Sequence, residues 1–128
     1  MSEQTVYEYA SIRVVPCVER EEFLNVGVIL YCKKQRFVGV RFTVDKPRLL
    51  ALYPAMDLTL IENHLLSFKN ICLGLKEGGR LAELPLDERF RWLTAKRSTI
   101  IQCSAVHPGL CISAEDTLQT LFSKLVTQ

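Results

Sequence analysis

The chain of 128 residues is 48% hydrophobic and 23% charged and has a formal net charge of +2. A length near that of one domain predicts a single globular domain over residues 1–128, and this composition excludes a disordered chain. So small a charge does not favour a dedicated nucleic-acid binder, which usually has a stronger basic excess.

Cysteine usage predicts a protein of a reducing compartment. The five cysteines are odd in number and none forms a C-x-x-C pair, so neither a zinc site nor a redox dithiol is predicted. We therefore expect free thiols, no metal ion and no cofactor. The first ten residues, MSEQTVYEYA, lack the features of a signal peptide, and no apolar run approaches the ~20 residues of a membrane-spanning helix. These features predict a cytoplasmic protein with no membrane partner.

The first part of the chain predicts three strands. Residues 6–15 (VYEYASIRVV) are rich in β-branched and aromatic side chains and end at Pro16, which cannot donate to a sheet ladder. Residues 25–32 (NVGVILYC) are apolar at both alternations, which is typical of a central strand covered on both faces. The link KKQ to residues 36–44 (RFVGVRFTV) is short, which favours an antiparallel hairpin.

Helical patterns follow these strands. A short helix is predicted between Pro47 and Pro54. A longer helix begins at an N-cap formed by Asp57, because apolar residues recur there at intervals of three and four, and Gly78 and Gly79 are expected to end it. The members of this apolar stripe are Ile61, Leu65, Phe68, Cys72 and Leu75.

The last third of the chain predicts a short helix, a fourth strand and a terminal helix. Asp87 can cap a short helix, residues 98–106 read as a fourth strand, and the Pro-Gly pair at 108–109 indicates a turn. Ser113 and Asp116 resemble a capping box at the start of a terminal helix. The element order predicts an α+β fold: a mostly antiparallel sheet of about four strands, three N-terminal and one later, with two main helices and short helical turns packed on it.

The first candidate site is the charged cluster Glu19, Arg20, Glu21 and Glu22, between the first two predicted strands. Carboxylates that converge can share a divalent cation or divide acid and base roles. Adjacent residues point in alternating directions, however, and no second acidic group is certain to face them. The pattern therefore favours a solvated hairpin connection, with a carboxylate site as the alternative.

The second candidate is the basic segment RFRWLTAKR, in which four cations surround Phe90 and Trp92. Cations interleaved with aromatic rings can bind single-stranded nucleic acid or a nucleotide, and the link KKQ with Arg36 could extend the basic face. Nearby acidic residues dilute the positive field, so a solvated helix face with partly paired charges is the favoured interpretation. The four cations are Arg89, Arg91, Lys96 and Arg97.

The third candidate is the segment STIIQCSAVH at residues 98–107. Cys103 and His107 could act as a nucleophile and its base, which need to lie within hydrogen-bond reach. Alternation puts Gln102 and Ser104 on the face opposite Cys103, and no nucleophile elbow is present. The sequence also lacks a P-loop, a dinucleotide fingerprint and an H-E-x-x-H motif. No catalytic residue is therefore predicted.

Four stretches follow one another over nearly the whole chain: YEYASIRVVPCVEREEFLNVGVILYC, RLLALYP, LPLDERFRWLTAKRSTIIQCSAVHPGL and LQTLFSKLV. Together they resemble the bacterial family named domain of unknown function 3037. The resemblance implies a small bacterial cytoplasmic protein with no particular reaction or ligand, and a weak link to a kinase-like protein as partner. The chain departs from the family pattern at Cys17, Cys103, Ala105, Pro108 and Cys111.

Two blocks of the family signature coincide with the candidate sites. One block spans residues 13–25 and the other spans residues 97–107. The basic segment, residues 89–97, ends where the second block begins. The candidate binding residues are Arg13, Glu19, Arg20, Glu21, Glu22, Asn25, Arg89, Arg91, Arg97, Ser98, Gln102 and His107.

Three functions are compatible with the sequence. The first is a non-enzymatic binding or adaptor domain that acts through a protein partner, because no catalytic constellation is recognisable. The second is nucleic-acid or nucleotide binding through the basic segment. The third is an enzyme of unknown reaction with a site between residues 19–25 and 97–107. A homodimer also stays open, because a second copy could cover one face of the strand at residues 25–32.

Overall fold

A computed structural model describes residues 3–128, which form five strands and five helices. The strands are β1 (Thr5–Val14), β2 (Leu24–Cys32), β3 (Phe37–Phe42), β4 (Ile101–Cys103) and β5 (His107–Cys111). The helices are α1 (Lys46–Leu52), α2 (Leu58–Cys72), α3 (Gly79–Ala82), α4 (Leu86–Thr94) and α5 (Ala114–Phe122). Single 3-10 turns occupy Val18–Arg20 and Lys76–Gly78, and a π-helical turn occupies Ser123–Thr127. The predicted α+β class is confirmed.

All five strands belong to one antiparallel sheet built around β1. Strand β2 pairs with one edge of β1, and β3 pairs with the outer edge of β2. The other edge of β1 is shared, because β5 pairs with its first half and β4 with its end. Arg13 of β1 consequently lies opposite both Asn25 of β2 and Gln102 of β4.

A bulge in β2 interrupts its register with β1. Ile12 and Arg13 are consecutive, but their partners are Gly27 and Asn25, which leaves Val26 as the extra residue. Glycine is required beside the bulge, because a Cβ at Gly27 would lie 2.5 Å from a carbonyl oxygen of β3. The bulge therefore shifts the end of β1 relative to β2, in the part of the sheet that also carries β4.

Helices cover both faces of the sheet. On one face, Ile12 and Val14 of β1 belong to a buried cluster with residues of α1, α2 and α4. On the other face, Val28 and Leu30 of β2 pack against α5 and the π-helical turn that follows it. Both faces of β2 are therefore covered within the chain, in agreement with its two-sided apolar pattern.

Two predicted helix starts are confirmed. Asp57 accepts a hydrogen bond from the Leu60 backbone at 3.1 Å, and Ser113 accepts one from the Asp116 backbone at 3.2 Å. Each bond satisfies one of the backbone donors that a helix start leaves free. The predicted cap at Asp87 is wrong: this residue lies in the first turn of α4, where its charge favours the positive end of the helix dipole.

One predicted helix end is wrong. Helix α2 ends at Cys72, well before the Gly78–Gly79 pair that the sequence indicates. Gly74 has a φ of +69° and directs the chain away from the helix, and the Leu75 backbone donates to the Asn70 carbonyl at 2.9 Å. A helix of fifteen residues results instead of a longer one.

The sheet has five strands rather than about four, and the difference lies after α4. The fourth predicted strand, at residues 98–106, is limited to Ile101–Cys103, and the predicted turn at 108–109 lies inside β5. Pro108 is tolerated in a strand because β5 is at the edge of the sheet, where an N–H can be absent from the ladder. The two main helices expected are likewise replaced by five helices, of which α2 is the longest.

Glu8 of β1 and Arg91 of α4 form a bidentate ion pair with N–O distances of 2.6 and 2.8 Å. The hydrogen bond from Arg91 lowers the pKa of Glu8 below its ordinary value of 4.5. Such a carboxyl contributes stability that is present above its unfolded pKa and is lost as the pH falls through its folded pKa. We expect Glu8→Gln to lower the free energy of unfolding by ~0.2–1 kcal/mol at neutral pH and to have little effect near about pH 2.

Urea unfolding followed by circular dichroism across this pH range measures the effect. Glu88→Gln is the control, because Glu88 is an exposed carboxyl of α4 that has no ion pair within residues 3–128. A deficit in Glu8→Gln that stays constant with pH would contradict a contribution from the charged pair.

Candidate functional site

A cleft of about 390 Å³ lies where the end of β1, the short strand β4 and the segment after α4 meet. We name it the β4 cleft. Its lining includes three cationic side chains and joins residues that are distant in sequence. The lining residues are Arg13, Lys96, Arg97, Ser98, Gln102, Cys103, Ser104 and Ala105.

Arg13 is the contribution of β1 to the β4 cleft. Its guanidinium carbon lies 4.0 Å from the centroid of the Phe23 ring, which fixes the side chain by a cation–π contact. Its Nε atom is buried and has no hydrogen-bond partner in the described part of the chain. A buried donor without a partner costs free energy, so the Phe23 contact and the neighbouring strands hold this guanidinium in place at that cost.

Asn25, which lies opposite Arg13, also has a buried polar atom without a hydrogen-bond partner in the described residues. Its Oδ1 atom is buried and has no partner among residues 3–128, although its amide nitrogen donates to the Leu125 carbonyl at 3.5 Å. The cross-strand pair therefore leaves one unused donor and one unused acceptor. Asn25 does not line the β4 cleft, so it adds nothing to the cleft surface.

Arg97 is held at the C-terminal end of α4. Its guanidinium donates to the carbonyls of Leu93 (3.3 Å) and Trp92 and lies over the Trp92 ring, 4.1 Å from the centroid. A cation at this end of a helix is favourable because the last carbonyls lack intrahelical partners. These contacts fix the course of the chain after α4, and Lys96 and Ser98 of that segment both line the β4 cleft.

Gln102 and Ser104 both line the β4 cleft, and hydrogen bonds hold their side chains in fixed orientations. Gln102 donates to the Thr99 carbonyl at 2.8 Å. The Ser104 hydroxyl accepts from the Ser11 backbone at 2.8 Å and donates to the Ala105 carbonyl at 2.9 Å. This cross-strand bond holds the end of β4 against β1 and positions Gln102 opposite Arg13.

Cys103 and His107 do not form a catalytic pair. Their ladder partners on β1 are Ile12 and Tyr9, which lie three residues apart and therefore point to opposite faces of the sheet. His107 packs against Tyr9 with ring centroids 5.5 Å apart, while Cys103 donates to the Leu93 carbonyl at 3.5 Å. Burial raises the pKa of the Cys103 thiol to about 12, which disfavours the reactive thiolate.

The charged cluster forms the exposed connection between β1 and β2. Arg20 donates to Glu22 at 2.7 Å, and these side chains are 67% and 49% exposed. This hydrogen bond lowers the pKa of Glu22, and a hydrogen bond from Cys17 lowers the pKa of Glu19. Glu21 has a φ of +57° and ends the turn. None of these side chains lines the β4 cleft, so the carboxylates do not converge with the second block.

The arginines of α4 are engaged within the protein. Arg89 donates to the carbonyls of Cys72 and Leu84 at 3.3 and 2.8 Å and so ties α4 to the end of α2 and to the segment between α3 and α4. Arg91 is occupied by its ion pair with Glu8. The basic segment therefore divides into two parts, and only its two cations after α4 line the β4 cleft.

The structure brings together part of the predicted set. Arg13, Arg97, Ser98 and Gln102 line the β4 cleft, which unites the two signature blocks. Lys96 and Ser104 also line it; the sequence places them in the second and third candidate segments but not among the candidate binding residues. Phe23 has no sequence signal for its role, because only the fold places its ring under Arg13.

Within residues 3–128, no group of three or more His, Cys, Asp or Glu residues is arranged to hold a metal ion. No helix in this range combines the length and the apolar character that a membrane crossing requires. All five cysteines are free thiols, as the sequence predicts.

The fold and the cleft define a small α+β protein whose sheet lies between two helical layers and carries a cationic cleft at one edge. The family model described as "Protein of unknown function (DUF3037)" matches residues 9–126. The chain belongs to this family, which confirms the resemblance. The matched range includes every residue that lines the β4 cleft. No curated protein and no solved structure matches the chain.

Proposed function

We propose that the protein is a binding module for a small phosphate-bearing ligand that occupies the β4 cleft. The observation that carries this proposal is the charge of the lining: Arg13, Lys96 and Arg97 all contribute, and none of the other lining residues is acidic. Arginine and lysine are the side chains with which proteins most often hold phosphate groups. The Ser98 hydroxyl and the Gln102 amide supply uncharged donors for the remaining oxygens.

The three cations are suited to different tasks. Arg13 is fixed by Phe23, so it can orient a phosphate with little loss of side-chain entropy. Lys96 is exposed and acts as a flexible point charge at the cleft. Arg97 is already bonded to α4 carbonyls, so its main contribution is a fixed positive charge.

Binding is favoured over catalysis by the chemistry of the lining. The only thiol of the β4 cleft belongs to Cys103, whose pKa burial raises to about 12. No imidazole and no carboxylate line the cleft to act as a general base. These features support a non-enzymatic module and argue against the alternative of an enzyme between the two signature blocks.

A nucleic-acid backbone is the alternative ligand. Extended binding along α4 would need Arg89 and Arg91, and both are engaged in contacts that hold the fold together. The cations that line the β4 cleft are fewer than a polyanion usually contacts. A small phosphate compound therefore fits the arrangement better than a long strand.

A bacterial, cytoplasmic setting is also proposed for this module. Five free thiols without a disulfide are typical of a reducing compartment. The family resemblance supports a bacterial origin. Soluble phosphate compounds are abundant in such a setting, which is consistent with the proposed ligand class.

Titration with pyrophosphate tests the proposal. Trp92 is the single tryptophan and contacts Arg97, so its fluorescence should change as the β4 cleft fills. We expect a saturable change that weakens as salt rises, together with heat of binding in calorimetry. A chain that gives neither a saturable fluorescence change nor heat would contradict a phosphate site.

Lys96→Gln isolates one exposed charge of the β4 cleft. We expect it to weaken pyrophosphate binding about two- to fivefold, because one exposed charge pair is worth ~0.5–1 kcal/mol. Its stability should be unchanged, since Lys96 makes no ion pair within the described residues. Lys76→Gln, an exposed lysine outside the cleft, is the matched control, and equal weakening by both variants would indicate only a general effect of net charge.

A further inference from the structure

The two outer edges of the sheet differ in how they are protected. At one edge, β4 has three residues and β5 contains Pro108, which lacks an N–H. The Thr99 hydroxyl also donates to the Ile101 carbonyl of β4 at 2.7 Å. The other edge is β3, with six residues, no proline and no bulge. Strand β3 is therefore the edge that can accept another strand.

The backbone of β3 presents an unused set of hydrogen-bonding groups. The Thr43 N–H donates to the Val26 carbonyl at 2.8 Å, so residues at every second position before it also face β2. The intervening residues direct their N–H and C=O groups outward. They are Val38, Val40 and Phe42, and no other segment of residues 3–128 donates to or accepts from their outer backbone groups.

Helices flank this free edge on both faces of the sheet and form a groove of about 670 Å³. Lys69 of α2 and Leu73, which directly follows this helix, line one wall, and Leu118 and Phe122 of α5 line the other. Strand β3 forms the floor. A strand laid beside β3 would find apolar surface for the side chains on each of its two faces, because alternate residues point to opposite walls.

The charges of the groove are predominantly positive. Arg41 and Lys69 are exposed and make no ion pair among residues 3–128, and Glu115 is the single acidic residue of the lining. An occupant with a carboxylate near these cations would be complementary to the groove.

We propose that the β3 groove binds an extended, acidic peptide segment of a partner protein by strand addition. The segment pairs with the outward backbone groups of Val38, Val40 and Phe42, places apolar side chains against α2 and α5, and directs a carboxylate to Arg41 or Lys69. This interaction surface lies at the edge of the sheet opposite the β4 cleft and is independent of the phosphate proposal.

A second copy of the chain fits this groove poorly. Paired strands lie about 4.8 Å apart, whereas a helix with its side chains is about 10 Å across. Since α2 and α5 both line the groove, edge-to-edge pairing of two copies would place the helices of one copy against those of the other. A single extended peptide carries no helices, so it can lie beside β3 without this contact.

Peptide selection tests the proposal on the full chain. A random library of peptides of about ten residues is selected for binding, and hydrogen exchange monitored by NMR locates each selected peptide. We expect acidic peptides with alternating apolar residues that slow exchange at Val38, Val40 and Phe42. Methylation of the alternate backbone nitrogens of the peptide that face β3 should abolish binding, because it removes the N–H groups that donate to the β3 carbonyls.

Lys69→Glu is the matched protein variant, with Lys76→Glu as its control outside the groove. We expect Lys69→Glu to weaken the acidic peptides about three- to tenfold and Lys76→Glu to leave them nearly unchanged. Failure to enrich any peptide, or slowed exchange elsewhere on the protein, would overturn the proposal. A concentration-dependent dimer that protects the same three amides without peptide would assign the edge to a second copy and would overturn it as well.

Discussion

Phe90→Ala is expected to lower the free energy of unfolding by ~3–5 kcal/mol, because it removes a large aromatic side chain from a closed core. Phe90 is fully buried and stacks on Tyr31 of β2 with ring centroids 5.5 Å apart. It is the anchor by which α4 is held against the sheet. Since small domains are stable by only about 5–15 kcal/mol, this single change should leave the protein near the limit of folding.

Urea unfolding at neutral pH measures the loss, and Phe90→Leu keeps the experiment informative if the alanine variant does not fold. The leucine variant should lose less, because more of the cavity is filled. Trp92→Ala is the control from the same helix: Trp92 is 40% exposed, so we expect a loss within about 1 kcal/mol. Similar losses in Phe90→Ala and Trp92→Ala would contradict the assignment of Phe90 as the anchor of α4.

Local periodicity predicts the buried face of α2 but not its end. The first four members of the predicted stripe, Ile61 to Cys72, are all buried. The fifth, Leu75, is exposed because the chain leaves the helix at Gly74. Either Gly74 or the later glycine pair could end a helix, and the tertiary packing of the following segment selects the first.

Non-local pairing explains why the fifth strand is missed. A Pro-Gly pair favours a turn in local terms, but Pro108 lies opposite Glu8 in a ladder between residues one hundred positions apart. Nothing near Pro108 in the sequence carries information about β1. The short strand β4 is shortened for a related reason, since β1 offers it only its last three residues.

For the candidate site, too, local sequence patterns predict the segments, whereas contacts between distant residues decide how these segments meet. Sequence patterns identify segments with the right chemistry, and the family signature adds residues 13–25 and 97–107. They do not establish which residues of these segments meet. The register that places Arg13 opposite Gln102 decides that Arg13 enters the β4 cleft, while the neighbouring charged cluster remains in an exposed connection.

Arg13→Gln is expected to weaken pyrophosphate binding about 10- to 100-fold, the largest effect of any single change in the β4 cleft. A hydrogen bond to a charged group contributes ~1.5–3 kcal/mol, which corresponds to this range of affinity. Arg13 is held in place by its contact with the Phe23 ring, whereas the Arg97 guanidinium is already bonded to backbone carbonyls. Fluorescence titration and calorimetry with pyrophosphate measure the change.

Arg13→Lys separates charge from geometry at this position. Lysine keeps the positive charge but lacks the planar donor fork, so we expect binding between that of the wild type and that of Arg13→Gln. Arg80→Gln, an exposed arginine outside the β4 cleft, controls for net charge, and thermal unfolding shows whether the loss of the Phe23 contact affects the fold. If Arg13→Gln folds like the wild type and still binds pyrophosphate with unchanged affinity, Arg13 is not the phosphate ligand.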